Sequence, residues 1–319
     1  MTTPSPHERA RPVERDPSGS PRDPGAGRTC RIHVFDVASL SATVIAEFDQ
    51  MSFEAPNWGA DGGTLYLNGD GALWAFSLDS PLAPRRVPYE GLPALNNDHV
   101  LDPRGEAVFM SATDGHIYHG PLAGGGHRRV TDEEGVQHFL HGVSPDGKRL
   151  GFVRIDEAGG PGRLALIDSD GGPVTVVDTG AGHVDGPEWS PDGEWIYFNT
   201  ERWAAIPGHA QLARVPSENP SPEKVERLLP TDTVDWFPHL APDGRLAVYL
   251  RYPAGTVGHP ADLDVELVLV STSDWSAQLA RVPLFGGQGT INVNSWSPDS
   301  RRFAFVSYPV AGGAPARSA

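Results

Sequence analysis

The residues Ser190-Pro191-Asp192-Gly193 meet the demands of a type I turn: a small polar acceptor first, a proline of fixed φ second, an aspartate third and a glycine last. They lie inside GPEWSPDGEWIYF, Gly186 to Phe198, whose flanks are aromatic and β-branched as strands require. The pattern recurs as NWGADGGTLYL from Asn57, HVLDPRGEAVFM from His99, GVSPDGKRLGFV from Gly142, HLAPDGRLAVYL from His239 and SWSPDSRRFAFVSY from Ser295. Six copies of one strand-turn-strand unit constrain the chain more than any other feature. With Asp61, Arg104, Asp146, Asp192, Asp243 and Asp299 as equivalent positions, successive turns stand 43, 42, 46, 51 and 56 residues apart.

That period matches the ~40–50 residues of a four-stranded propeller blade, and the units lack the 3.6-residue periodicity of helical repeats. Strands A and B flank each turn. Segments such as ALWAFSLD with PRRVPY, HIYHGPL with HRRVTD, RLALIDS with VTVVDT, and VELVLVST with AQLARVPLF supply C and D. The sixth turn is followed by only one strand, RRFAFVSYPV, whereas CRIHVFDVAS and SATVIAEF precede the first turn and belong to no other unit. Pairing the two chain ends completes a sixth blade and removes two bare edges. The expected fold is all-β, a six-bladed β-propeller closed by the N-terminal strands against the last C-terminal strand.

The first 28 residues, rich in Pro, Arg, Asp, Gly and Ser, cannot bury enough apolar surface to offset the entropy of ordering, so a disordered tail is expected over 1–28 and the propeller over 29–319. A formal net charge of −16 repels a phosphate backbone, which argues against nucleic acid as a partner. No apolar run reaches the ~18 residues of a membrane span, and the N-terminal segment has no apolar core for a signal peptide. No membrane partner and a cytoplasmic location are therefore expected. The single cysteine, Cys30, cannot form an internal disulfide.

The WSPDG turns followed by strands such as WIYF and RFAF resemble the TolB-type β-propeller repeat, from about Cys30 to Tyr308. The resemblance implies the fold. Similar propellers serve as Tol-system scaffolds, peptidase lids and polysaccharide lyases, so it leaves function open.

In an up-and-down blade the A–B turn lies at one face, so the lead-in to strand A and the B–C loop meet at the other, with the lead-in next to the central channel. The lead-ins are polar: NNDH, QHFLH, HVDGPE, DWFPH and GGQGTINVN hold five of the twelve histidines. A ligand site is expected at this mouth, binding a small polar or carbohydrate molecule through Asn97, Asp98, His141, Asp185, Glu188, Trp236, Gln288 and Asn292. His239 is the candidate base and Arg202 the candidate carboxylate clamp for lyase or hydrolase chemistry. Neutral imidazoles from His99, His239 and His259 are the candidate ligands of a divalent metal ion, although no short-spaced signature such as HExxH is present. A further resemblance, to oligogalacturonate lyase propellers, implies a metal held by His and Gln lead-in residues. Gln288 stands suitably for it, but Asn292 and Asn294 occupy positions where that family carries histidines. The alternative is a non-enzymatic scaffold that binds a protein partner.

Overall fold

All six turns close with a backbone hydrogen bond from the fourth residue to the first, as Gly193 N to Ser190 O at 2.9 Å and Gly147 N to Ser144 O at 2.7 Å. The fourth residue has positive φ in every copy. Five are glycines and the sixth is Ser300, at φ 60°. The aspartate, or the residue that stands for it, then leads into a second strand antiparallel to the first.

The computed structural model describes residues 28–310. The tail expected over 1–28 lies outside the described residues except for Arg28. The chain opens with β1 (Cys30–Asp36) and β2 (Ser41–Phe48). The first blade is β3 (Glu54–Trp58), β4 (Thr64–Gly69), β5 (Ala72–Ser77) and β6 (Arg85–Arg86), and the second is β7 (Leu95–Leu101), β8 (Ala107–Ala112), β9 (Ile117–Pro121) and β10 (Arg128–Arg129). β11 (Gln137–Val143), β12 (Arg149–Ile155), β13 (Arg163–Asp168) and β14 (Thr175–Val176) form the third. The fourth is β15 (Val184–Trp189), β16 (Trp195–Thr200), β17 (Gln211–Pro216) and β18 (Glu226–Arg227), with one 3-10 turn at Pro222–Lys224. The fifth is β19 (Val234–Leu240), β20 (Leu246–Tyr252), β21 (Ala261–Ser271) and β22 (Asp274–Gly287). β23 (Arg302–Ser307) belongs to the sixth.

Closure follows the expected route. β1 pairs antiparallel with β23 from Arg31↔Ser307 to Asp36↔Arg302, and β2 pairs with the other edge of β1. The innermost position of this blade is irregular: residues 290–296 run beside β23 with only a Trp296↔Phe303 bridge and the bonds Val306 N to Thr290 O and Ala304 N to Ser295 O. No helix among the described residues is long and apolar enough to cross a membrane.

Aromatic residues beside the turns weld blade to blade. Trp189 is buried against the third blade, where a Cβ on Gly151 would stand 2.7 Å from its ring and one on Gly142 would stand 2.6 Å from Pro187 O. Glycine at these two positions lets β11 and β12 approach the next blade closely. Trp58 and Trp296 are buried at the corresponding places, while Trp195 lies under the Arg214 guanidinium, 3.9 Å from its ring.

Candidate functional site

The innermost strands are interrupted near the channel mouth, and the interruption decides which side chains enter it. In β3, β15 and β19 a bulge falls within Glu54–Asn57, Asp185–Glu188 and Trp236–His239, each containing a residue of positive φ followed by proline. Two of those residues tolerate the position easily or nearly so, Gly186 and Ala55. The third, Phe237 at φ 54°, is bulky, a conformation that costs about 1–3 kcal/mol unless its surroundings impose it. Here they do: its ring stacks on His141 at 5.5 Å and His239 at 6.4 Å and meets His259 edge-on at 5.3 Å. Phe237 spaces three imidazoles around one apolar post.

Asp185 is the hub. Its Oδ1 receives the His141 Nε2–H at 3.0 Å and the Gly186 amide at 2.7 Å, while Oδ2 faces His183 Nε2 at 3.4 Å and His259 Nε2 at 3.5 Å. Three imidazoles from three blades thus surround one carboxylate. Burial alone would raise its pKa, but the hydrogen bonds from His141, His183 and His259 hold it well below the usual carboxylate range. His183 accepts the Gly162 amide at Nδ1, so its single hydrogen is on Nε2, directed at Asp185. At His141 both ring nitrogens face acceptors, Asp185 and the Asn292 carbonyl at 3.0 Å, which requires two N–H groups. Burial opposes that charge, yet the Asp98 anion first, and then Asp185 and Asn292, raise its pKa to about 9.

Asp98, from the second blade, completes the group. It is 4 % exposed, accepts Asn96 Nδ2 on Oδ2 at 3.1 Å, and leaves Oδ1 buried with no hydrogen-bond partner. Burial raises its pKa to about 6 in spite of the charges of His141 and His259. Beside it, Gln288 Oε1 accepts from His259 Nδ1 and from Asn292 Nδ2, and Gln288 Nε2 reaches Asn97 Oδ1 at 3.4 Å. Asn292 Oδ1 is occupied by the Gly289 amide. The structure therefore brings Asn97, Asp98, His141, Asp185, His259, Gln288 and Asn292 to one place, together with His183, which the sequence sets on this face with the other lead-in histidines but to which it assigns no individual role.

Other expected site residues do different work. His239 directs Nδ1 to Glu188 Oε2 at 2.6 Å and Nε2 to the Ile291 carbonyl at 2.7 Å, and Glu188 Oε1 also accepts Leu240 N and Asn294 Nδ2. This corrects the assignment of His239 as base and of Glu188 as ligand contact: both are saturated struts tying the fourth, fifth and sixth blades. Trp236 is corrected as well. The bulge turns it into the apolar core at 0 % exposure, packed between His183 and His259, where it offers no face to a sugar. Arg202 binds the Thr179 carbonyl at 2.6 Å and leans on Trp203, bracing a loop rather than clamping a carboxylate in the channel. His99 donates toward the Tyr66 carbonyl at the seam with the first blade, and burial lowers its pKa to about 4.

The metal set His99, His239 and His259 does not fit an ion. His239 has no free nitrogen, His99 faces a neighbouring blade, and His259 Nδ1 is bound to Gln288. Among the described residues no group of three or more His, Cys, Asp or Glu is arranged to hold one.

No family model matches the chain. An uncharacterized protein of Agrobacterium fabrum is 36% identical over 289 residues, spanning 89% of this chain and 94% of that protein. The solved structure of a TolB candidate from Agrobacterium tumefaciens is 35% identical, with a TM-score of 0.77 over 89% of this chain and 99% of that one. An oligogalacturonate lyase in complex with manganese, 13% identical, superposes with a TM-score of 0.52 over 84% of this chain and 70% of its own, a likeness of fold alone.

Proposed function

The chain belongs to the family of these Agrobacterium proteins, six-bladed β-propellers of TolB type, and from that premise we propose that its channel mouth binds a small polar molecule. The observation that carries the reading is Asp98 Oδ1, a buried carboxylate oxygen without a partner beside a cluster in which the Asp185 carboxylate and the His141, His183 and His259 imidazoles are matched. An unpaired buried carboxylate oxygen costs about 1–3 kcal/mol or more, and a fold keeps such a group where something fills it in the working state. A ligand that donates a hydrogen bond would fill it. Channel water would fill it too, and that is the competing account.

The test is a thermal-shift and calorimetric screen of sugars, uronates, polyols and amines against the wild type and Asp98→Asn, with Asp192→Asn on the opposite face as control. A ligand that binds the wild type and the control, but binds Asp98→Asn at least about tenfold more weakly, supports the reading. Ligands indifferent to Asp98→Asn, or none at all alongside capture of a protein partner by the opposite face, would favour the scaffold instead.

A further inference from the structure

We propose that the group received by Asp98 is a cation, a primary ammonium carried on a short aliphatic stem; this rests on the ligand-binding reading above. The hydrogen-bond inventory leads there. Asn96 Nδ2 gives one hydrogen to Asp98 Oδ2, Gln288 Nε2 one to Asn97 and Asn292 Nδ2 one to Gln288, and none of these donors reaches Asp98 Oδ1. A hydroxyl meets Oδ1 with a single donor and brings lone pairs to a site that already holds two carboxylates, whereas an ammonium brings donors only and meets an acceptor only. The two nearby imidazoles that donate from both nitrogens spend those N–H groups elsewhere, His141 on Asp185 and the Asn292 carbonyl and His259 on Asp185 and Gln288. Asp98 is left as the anion without a direct cationic partner, and a charge-assisted bond to it is about twice as strong as a neutral one.

The aliphatic stem comes from the rim. His259 lies on the loop between β20 and β21, and two residues before it Val257 is 51% exposed. Ile206, 56% exposed, stands on the equivalent loop between β16 and β17, and the two loops touch where Gly208 passes Val257, so close that a Cβ on Gly208 would lie 2.7 Å from the Val257 Cα. A pair of exposed β-branched side chains on adjoining loops, on the face that holds His259, is the apolar surface from which such a stem would take its contacts. Uronates, which bring a carboxylate to a site already holding Asp98 and Asp185, fit this floor poorly.

The probes are butylammonium, 1-butanol and butyrate, three ligands of one shape and different charge, titrated at neutral pH and followed by amide NMR shifts. Butylammonium is expected to shift resonances of the mouth in the wild type and to bind about tenfold or more tightly than butanol, with butyrate silent. Asp98→Asn should abolish that preference, and Val257→Ser should weaken butylammonium but leave methylammonium unchanged. Equal binding of butanol and butylammonium, a preference for butyrate, or no response to any of the three overturns the cation. A neutral sugar that binds through Asp98 while butylammonium does not would overturn the cation and leave the ligand site standing. Indifference of every probe to Asp98→Asn would remove both.

Discussion

The two faces of the propeller satisfy their polar groups in opposite ways. At the turn face the bonds are local: Asp192 Oδ1 accepts Ser190 Oγ and the Glu194 amide, Asp146 and Asp299 repeat the arrangement, and each partner lies two residues away. At the mouth the partners are remote. His141 reaches Asn292 across 151 residues, Gln288 reaches Asn97 across 191, and Asn294 reaches Glu188 across 106. A turn is complete as soon as its own few residues fold, whereas the mouth exists only after the ring has closed. The first face is therefore robust and repetitive, and the second can carry a group such as Asp98 that the fold itself leaves unpaired.

The strongest way to break this contrast is to neutralise the hub. Asp185→Asn leaves His141, a buried cation, without its nearest anion, and removing one partner of a buried pair costs about 3–5 kcal/mol. The melting temperature should drop by several degrees, far beyond the effect of Asp192→Asn. Because the Asp185 pKa is depressed, its contribution is present above the ordinary carboxylate range and is lost as pH falls, so the gap between variant and wild type should narrow in acid. Equal losses at Asp185 and Asp192 would show that the two faces are built alike.

His141 provides the next test. Its pKa rises from 6.5 to about 9 against the pull of burial, under the charges of Asp98 and Asp185 and the Asn292 carbonyl. A raised pKa stabilises fully below the unfolded value and loses its effect as pH climbs through the folded one. Wild-type stability should thus decline between about pH 6.5 and 9 by on the order of 2–3 kcal/mol, a decline absent from His141→Asn. The groups facing His141 in this window are Asp98, Asp185, Phe237 and the Asn292 carbonyl. Melts across the range decide it, and a flat wild-type profile would mean that His141 is neutral in the fold.

How much was legible in the sequence follows from the same contrast. Ser190, Pro191, Asp192 and Gly193 are adjacent, so the turn, its repeats and the ring they imply could be read directly, and the unpaired strands at the two ends specified the closure. That the lead-ins converge on one mouth was also legible. Which lead-in residue turns inward was not, because alternation along a strand fails at a bulge. The shift between Trp236 and His239 sends the tryptophan into the core and both nitrogens of the histidine into struts, while Phe237, which carried no chemical signal, becomes the post between three imidazoles. Partner choice across 100 residues or more leaves no trace in local pattern.

A smaller effect, of opposite sign, is expected at Asp98. Burial raises its pKa to about 6, with His141 and His259 lowering it and Asp185 raising it, so the folded state holds its proton more tightly than the unfolded chain. That favours folding below the unfolded value near 3.8 and turns to a penalty as pH rises through 6. Asp98→Asn should then stabilise the protein at pH 7 by about 1–2 kcal/mol, and the gain should vanish near pH 4. Stabilisation joined to lost binding is the signature of a group kept for function rather than for the fold. Destabilisation at pH 7 would instead make Asp98 one more strut.

The smallest effect belongs to the turn face. Asp192→Ala deprives Ser190 Oγ and the Glu194 amide of their acceptor, yet Glu194 is exposed, where water can replace it, and the buried Ser190 hydroxyl still has the Trp195 carbonyl at 3.3 Å. The pKa of Asp192 is lowered by the Ser190 hydroxyl first and the Glu194 amide second, so what it adds is present at neutral pH and fades in acid. Solvent screening keeps the sum small, about 0.5–1 kcal/mol. Because the bonds are local, the loss should be the same in the presence and absence of any ligand at the mouth, and it should add to that of Asp185→Asn within about 0.5 kcal/mol. A double mutant whose melt departs from that sum would reveal coupling through the blade from one face to the other, and the independence of turn and mouth would have to be given up.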